Sequence, residues 1–161
     1  MTKVARVVGV DPGIVHTGVV SLEFKPGPVL YVDHDLVTGL DADLVAHWIG
    51  SLKNTSVYVE QYKPRQRLNT DVRMVQAEAD LRRSILGARF LPNMGIRRVV
   101  PQQLMEALGL WTWTTTSHHQ DLRSAARRAL LGMMKDDHQN RVIADMVRAY
   151  VDGTPWEVRI R

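Results

Sequence analysis

Two apolar runs separated by one carboxylate and a turn, Val7 to Leu22 (VVGVDPGIVHTGVVSL), set the pattern of the first part of the chain. Val4 to Val10 is almost wholly apolar apart from Arg6. A short continuous run closed by Pro12-Gly13 predicts a central strand covered on both faces. Val15 to Phe24 resumes with β-branched residues and predicts the return arm of a hairpin, with Thr17-Gly18 marking a bulge. After the turn Lys25-Pro26-Gly27-Pro28, Val29 to Val37 alternates like a half-exposed third strand, which completes an antiparallel meander.

The period then lengthens. Asp41 or Asp43 caps a helix with apolar positions Leu44, Val45, Trp48, Ile49 and Leu52, ended by Lys53-Asn54. Val57 to Tyr62 (VYVEQY) reads as a fourth strand, and a helix between two strands is the crossover that makes them parallel. Lys63 to Arg67 is a basic loop. Asn69 or Thr70 caps a long helix reaching about Leu86. Its stripe Val72, Val75, Ala79 and Leu86 is widened by Met74, Leu81 and Ile85, and reads equally as a two-sided core helix or a dimer seam.

Ile96 to Val100, closed by Pro101, predicts a fifth strand, and Gln102 to Leu108 a brief helix ended by Gly109. In the loop Leu110 to Thr116 (LWTWTTT), Trp111 and Trp113 are expected to pack in the core, with stacking on unpaired bases as the alternative. His118 to Met134 has helical spacing, with Arg123, Arg127 and Arg128 elsewhere on its surface. A last helix covers about Gln139 to Val151, and the tail beyond Gly153 is peripheral. The expected fold class is α/β: a mixed five-stranded sheet, three antiparallel strands then parallel ones, flanked by helices in a single domain, 1–161.

Composition narrows the chemistry. With 161 residues and 45% hydrophobic content the chain can bury a real core. It has no cysteine, so disulfides and thiolate metal sites are excluded, and any metal must be held by oxygen or imidazole. No run approaches the roughly 18 consecutive apolar residues of a membrane span. The amino terminus lacks a signal-peptide pattern, so a soluble, unexported protein is expected. The net charge of +4 fits a polyanionic partner without requiring one.

Asp11 and Glu60 are each the lone acid of an apolar strand, and a buried carboxylate needs a partner or loses its charge. His118 and Asp121, three apart at a helix start, share one face and can reach the same ion. Hard oxygen donors suit magnesium or manganese, and an imidazole among them favours manganese somewhat. Two ions roughly 3.5 to 4 Å apart are an arrangement suited to phosphodiester hydrolysis. Lys63, Arg65, Arg67 and Arg73 follow Glu60 closely and are candidates to hold the phosphates of a polyanionic partner.

These stretches resemble a known family. GVDPGIVHTGVV (9–20) looks like the first-strand motif of RuvC-like Holliday junction resolvases, and VEQY (59–62) like the second. SHHQDLRSAARRALL (117–131) resembles the phage-type version of the third, a metal-binding helix. The resemblance implies a ribonuclease-H-like fold, a homodimer, and magnesium- or manganese-dependent paired nicking of branched DNA that leaves 5′-phosphate ends. It puts Asp11, Glu60, His118 and Asp121 in the metal site and implies a phage or prophage protein of the host cytoplasm, with no nucleotide cofactor.

Histidine replaces the more usual third aspartate, with His118 or His119 as the ligand. VIADMVRAYV also resembles the family's carboxylate helix around Asp145, but Val142 stands where a ligand is needed. Asp136, Asp137 and His138 read as a solvated turn. The alternatives are a related nuclease acting on flaps or RNA–DNA hybrids, a nonenzymatic junction-binding protein, and an ATP-binding actin-like fold, whose phosphate loop could use Asp11, Gly13, Thr17 and Gly18.

Overall fold

A computed structural model describes residues 5–25, 29–52, 55–63, 71–113, 119–135, 148, 152–153 and 157–161. Strands β1 (Ala5–Asp11), β2 (His16–Lys25) and β3 (Val29–Thr38) form the predicted meander. Helix α1 (Ala42–Gly50) leads to β4 (Thr55–Gln61), which pairs with β1 in parallel, as a helical crossover requires. Helix α2 (Val72–Ser84) is followed by β5 (Arg89–Pro92), α3 (Ile96–Val99), α4 (Gln102–Ala107), α5 (His119–Lys135) and β6 (Glu157–Ile160). The sheet order is β5-β4-β1-β2-β3-β6.

The sheet has six strands, not five, and the expected fifth strand is misplaced. Ile96 to Val100 is the helical turn α3: Ile96 and Val100 are buried while Arg97, Arg98 and Val99 are exposed. That four-residue period is helical, whereas a half-buried strand would have buried every second residue. The fifth strand is the short edge strand β5, entered through Gly87 at φ 82°. The tail is also more than a peripheral end. β6 pairs in parallel with β3, and Arg161 bridges Glu23 (2.9 Å) and Asp33 (2.8 Å).

Caps fell within the expected turns. Asp41, rather than Asp43, caps α1 through the N–H groups of Asp43 and Leu44, and Asp71 caps α2 in place of Asn69 or Thr70. The α2 stripe divides: Ala77, Leu81 and the adjacent Ile85 are buried, while Val72, Val75 and Leu86 are exposed. The helix foreseen at 139–151 lies almost wholly outside the described residues, as do Asp136, Asp137, His138 and Asp145. No helix among the described residues is long and apolar enough to cross a membrane.

Alternation along the central strands assigns side chains to two cores. Val8, Val10, Val19, Val57 and Val59 face α1 and α2, packing with Val45, Ile49, Leu81 and Ile85. Val7, Val20, Leu22 and Tyr58 face α5, with Leu122, Ala125, Ala129 and Leu130. Gly9 lies on that second face, where a β-carbon would overlap the Ala125 carbonyl oxygen, so the helix backbone rests directly on β1. Gly18 lies there too, and a β-carbon would come 2.6 Å from the Asp121 carbonyl oxygen.

Candidate metal centre

The same parity carries the acids. Asp11 follows Val7 and Gly9 on the α5 side, and Glu60 follows Tyr58 on that side of β4. Because Val10 pairs with Val59 in parallel register, Asp11 and Glu60 lie side by side at the C-terminal ends of neighbouring central strands. Asp11 is also the register partner of Gly18. The bare Gly18 lets the first turn of α5 come down over this end of the sheet, bringing Asp121 near Asp11. An acid in the first turn is also favoured by the helix dipole.

The electrostatics reflect the crowding. The Asp11 carboxyl is pushed up to about 9, first by burial, then by its hydrogen bond to Glu60 and by the charges of Glu60 and Asp121. The opposing influence is the guanidinium of Arg128. Among the described residues no three acid or imidazole side chains close around a single point to hold an ion. Asp11 and Glu60 instead meet in a hydrogen bond, as two neighbouring acids do when one of them holds its proton.

Arg128 is the residue that sequence reasoning missed. Expected on the helix surface, it is 1% exposed. Its Nη1 donates to the Pro92 carbonyl (3.1 Å), and its Nη2 donates to Asn93 Oδ1 (3.3 Å) and lies 3.6 Å from Glu60 Oε2. A signal was present: Arg128 is seven residues after Asp121, two helical turns, and so shares the acid's face of α5.

The other foreseen residues are distributed as follows. His118 lies outside the described residues, and of His119 only the backbone, at the start of α5, is described. Arg65 and Arg67 also lie outside them. Lys63 is exposed and lines a cleft of about 330 Å³ with Pro12, Glu60, Tyr62, Glu78 and Asn93. Arg73 sits on the first turn of α2 in a two-point contact with Asp71 (3.1 and 3.2 Å), so that acid already balances its charge. Trp113 is buried, as expected, and makes an edge contact with His34 at 5.0 Å. Trp111 is half-buried, with the Arg123 guanidinium 3.9 Å from its ring centre.

The turn after β1 is committed to the scaffold. Thr17 is buried and donates to the Gly39 carbonyl (2.8 Å), while the Gly39 N–H donates to Val15 (2.7 Å). With Gly18 beneath α5, two of the four residues of the phosphate-loop reading are occupied inside the protein.

Comparison with known proteins places the architecture. The RuvC structure of Thermus thermophilus superposes with a TM-score of 0.58 at 16% identity, covering 80% of this chain and 96% of that one. RuvC from T. thermophilus in complex with a Holliday junction substrate gives 0.58 at 17%, covering 81% and 96%. The yeast mitochondrial Holliday junction resolvase Ydc2 gives 0.59 at 15%, covering 89% and 84%. No protein-family model and no curated protein matches by sequence. The likeness establishes a ribonuclease-H-like fold of the RuvC type.

Proposed function

We propose that this chain is a divalent-metal-dependent, structure-selective endonuclease that resolves four-way or otherwise branched DNA by hydrolysing phosphodiesters, with paired nicks and 5′-phosphate ends. The observation that carries this reading is the pairing of Asp11 with Glu60 at the ends of neighbouring central strands with Asp121 near Asp11, where burial first, then the hydrogen bond to Glu60 and the charges of Glu60 and Asp121, raise the Asp11 carboxyl far above its ordinary value. Asp11 and Glu60 facing one guanidinium, with Asp121 adding its charge at Asp11, form an environment that favours added positive charge. The RuvC-type fold supports the same reading, since one of the superposing proteins was captured with a Holliday junction.

The donors fit magnesium or manganese: carboxylate oxygens from Asp11, Glu60 and Asp121, with His118 as the imidazole. Two ions per site are proposed. The chemistry supplied on binding is charge neutralisation at the phosphodiester and a lowered pKa for the attacking water. The chain's own part is placement. Asp11 and Glu60 are held by paired strands, which are stiffer than loops, and Asp121 by a helix seated on glycine. Arg128 restrains Glu60 from within the core, and Lys63 lines the cleft beside it to receive a phosphate. Arg65, Arg67 and Arg73 are proposed as further backbone contacts, Arg73 by exchanging Asp71 for phosphate.

Two nicks in opposed strands require two sites, so a homodimer is proposed, and the uncovered Val72 and Val75 on α2 are apolar surface available to it. Action in the cytoplasm, during phage or prophage DNA processing, belongs to the same proposal. The test is a labelled four-way junction incubated with magnesium or manganese, comparing wild type with Asp11→Asn and using linear duplex as control. Paired nicks in the junction alone are expected from wild type and none from the variant. Equal cleavage by both would remove the proposed site.

A further inference from the structure

Most described arginines have a carboxylate partner: Arg6 with Glu23, Arg82 with Glu78, Arg83 with Asp80, Arg159 with Glu157. Around Trp111 the pattern changes. Arg123 donates its Nε to the Trp111 carbonyl and stacks on that indole, with 3.9 Å from guanidinium carbon to ring centre. Arg127 lies 5.5 Å from the same ring and donates its Nε to the Val100 carbonyl (3.1 Å). The third member is Arg97, exposed on α3, which packs against α5. The Arg127 guanidinium is lowered by burial and then by the charges of Arg97 and Arg123; no carboxylate contributes.

Like charges gathered this closely oppose one another, and an indole face holds a guanidinium without neutralising it. Both half-buried arginines use Nε on carbonyl oxygens, and no protein acceptor among the described residues is recorded for their terminal nitrogens. Two guanidinium forks with free ends, backed by a third cation, match the oxygens of a phosphodiester.

We propose that Arg97, Arg123 and Arg127, braced by Trp111, form a phosphate clamp for the nucleic-acid backbone. This rests on the nuclease reading for its partner, DNA, but it is separate from the cleavage site. Arg123 and Arg127 are two and six residues after Asp121 on α5, so both project well over 90° around the helix from the acid. The clamp therefore engages backbone away from the scissile phosphate and contributes affinity and placement.

The experiment measures binding of a fluorescent four-way junction and of linear duplex by polarisation across a salt series, with metal chelated so that nothing is cut. The proteins are full-length wild type, Arg123→Gln/Arg127→Gln, Arg123→Lys/Arg127→Lys, and Arg83→Gln as a control on another surface. The double glutamine variant should bind at least about tenfold more weakly at moderate salt, with the slope of log affinity against log salt reduced by about two. The lysine variant should keep most of the slope, and Arg83→Gln all of it.

A glutamine variant that melts like wild type and keeps its slope overturns the clamp. So does equal loss of melting temperature in the lysine and glutamine variants with the slope unchanged, which would mark a packing role. If wild type cuts junctions and the slope does not move, the clamp fails while the nuclease reading stands. If the slope falls as expected and no cutting is ever seen, the clamp stands and the nuclease reading fails. Wild type that binds neither DNA overturns the clamp.

Discussion

Arg128 reaches Glu60 from the far side of the site: Nη2 lies 3.6 Å from Oε2, with the guanidinium 1% exposed and anchored on Pro92 and Asn93. A single buried cation thus ties strand β4 to the corner after β5. Replacing it by methionine keeps the bulk but leaves Glu60 without its countercharge and two acceptors without a donor. The Arg128→Met protein should lose about 2–4 kcal/mol in urea unfolding. Arg128→Lys should recover only part of this, because an ammonium lacks the planar fork that serves two acceptors at once. A methionine variant as stable as wild type would mean the contact carries no weight.

The acid cluster should lower metal-free stability. Asp11→Asn replaces a carboxyl that burial and its acidic neighbours hold protonated at neutral pH with an amide of the same shape that needs no proton to stay neutral. In the absence of divalent ions, unfolding at neutral pH should show it equal to wild type or about 1–2 kcal/mol more stable, while junction cleavage disappears. Clear destabilisation of the metal-free variant would contradict the description of repulsion at this edge.

Close approach of α5 to the sheet makes one glycine indispensable and leaves another free. Gly9→Ala puts a methyl group into the Ala125 carbonyl and must push the helix off β1, at a cost of about 3 kcal/mol or more. Gly50, at the end of α1, has nothing within 4 Å of its would-be β-carbon, so Gly50→Ala should be neutral or stabilising by up to about 1 kcal/mol. Paired thermal melts of the two variants decide the matter, and similar melting temperatures would dispose of it.

Glu23 supplies the acid limb of the stability profile. Burial raises its carboxyl, but hydrogen bonds from Arg6 (2.7 Å) and Arg161 (2.9 Å) outweigh burial and hold it below its ordinary 4.5. A carboxylate lowered in the folded state contributes stability that is complete above its unfolded value and is lost as pH falls through the lower folded value. Glu23→Gln should therefore be destabilised at pH 7 and should lose less additional stability than wild type between about pH 4.5 and 3. Parallel acid slopes for the two proteins would rule out this contribution.

Much of the fold was legible because its signals are local. The meander, the crossover helix and the parallel partner of β1 follow from apolar runs, turns and periods within one segment. Errors came where short segments admit two periods. Ile96 to Val100 has the composition of a strand, and burial of its first and last residues, known only once α5 packs on α3, makes it a helical turn. β5 and β6 are four-residue edge strands whose pairing partners lie far away in sequence, so their own pattern is too brief to declare them.

For the site, the sequence by itself determined which residues are the lone acids of apolar strands and which acid opens the helix, because apolar runs and helical spacing are properties of the local chain. It nominated Asp11, Glu60, His118 and Asp121 on that basis and on their resemblance to the RuvC-like motifs. Tertiary structure alone decided that Asp11 meets Glu60 and that Asp121 comes near Asp11, because this depends on the register of β1 with β4 and on the seating of α5 over Gly9 and Gly18. It likewise buried Arg128 beside Glu60 and set Arg123 and Arg127 against one indole, with Arg97 close enough to act on Arg127 and no acid paired with them among the described residues. Charge balance depends on distance through space, and distance is set by packing.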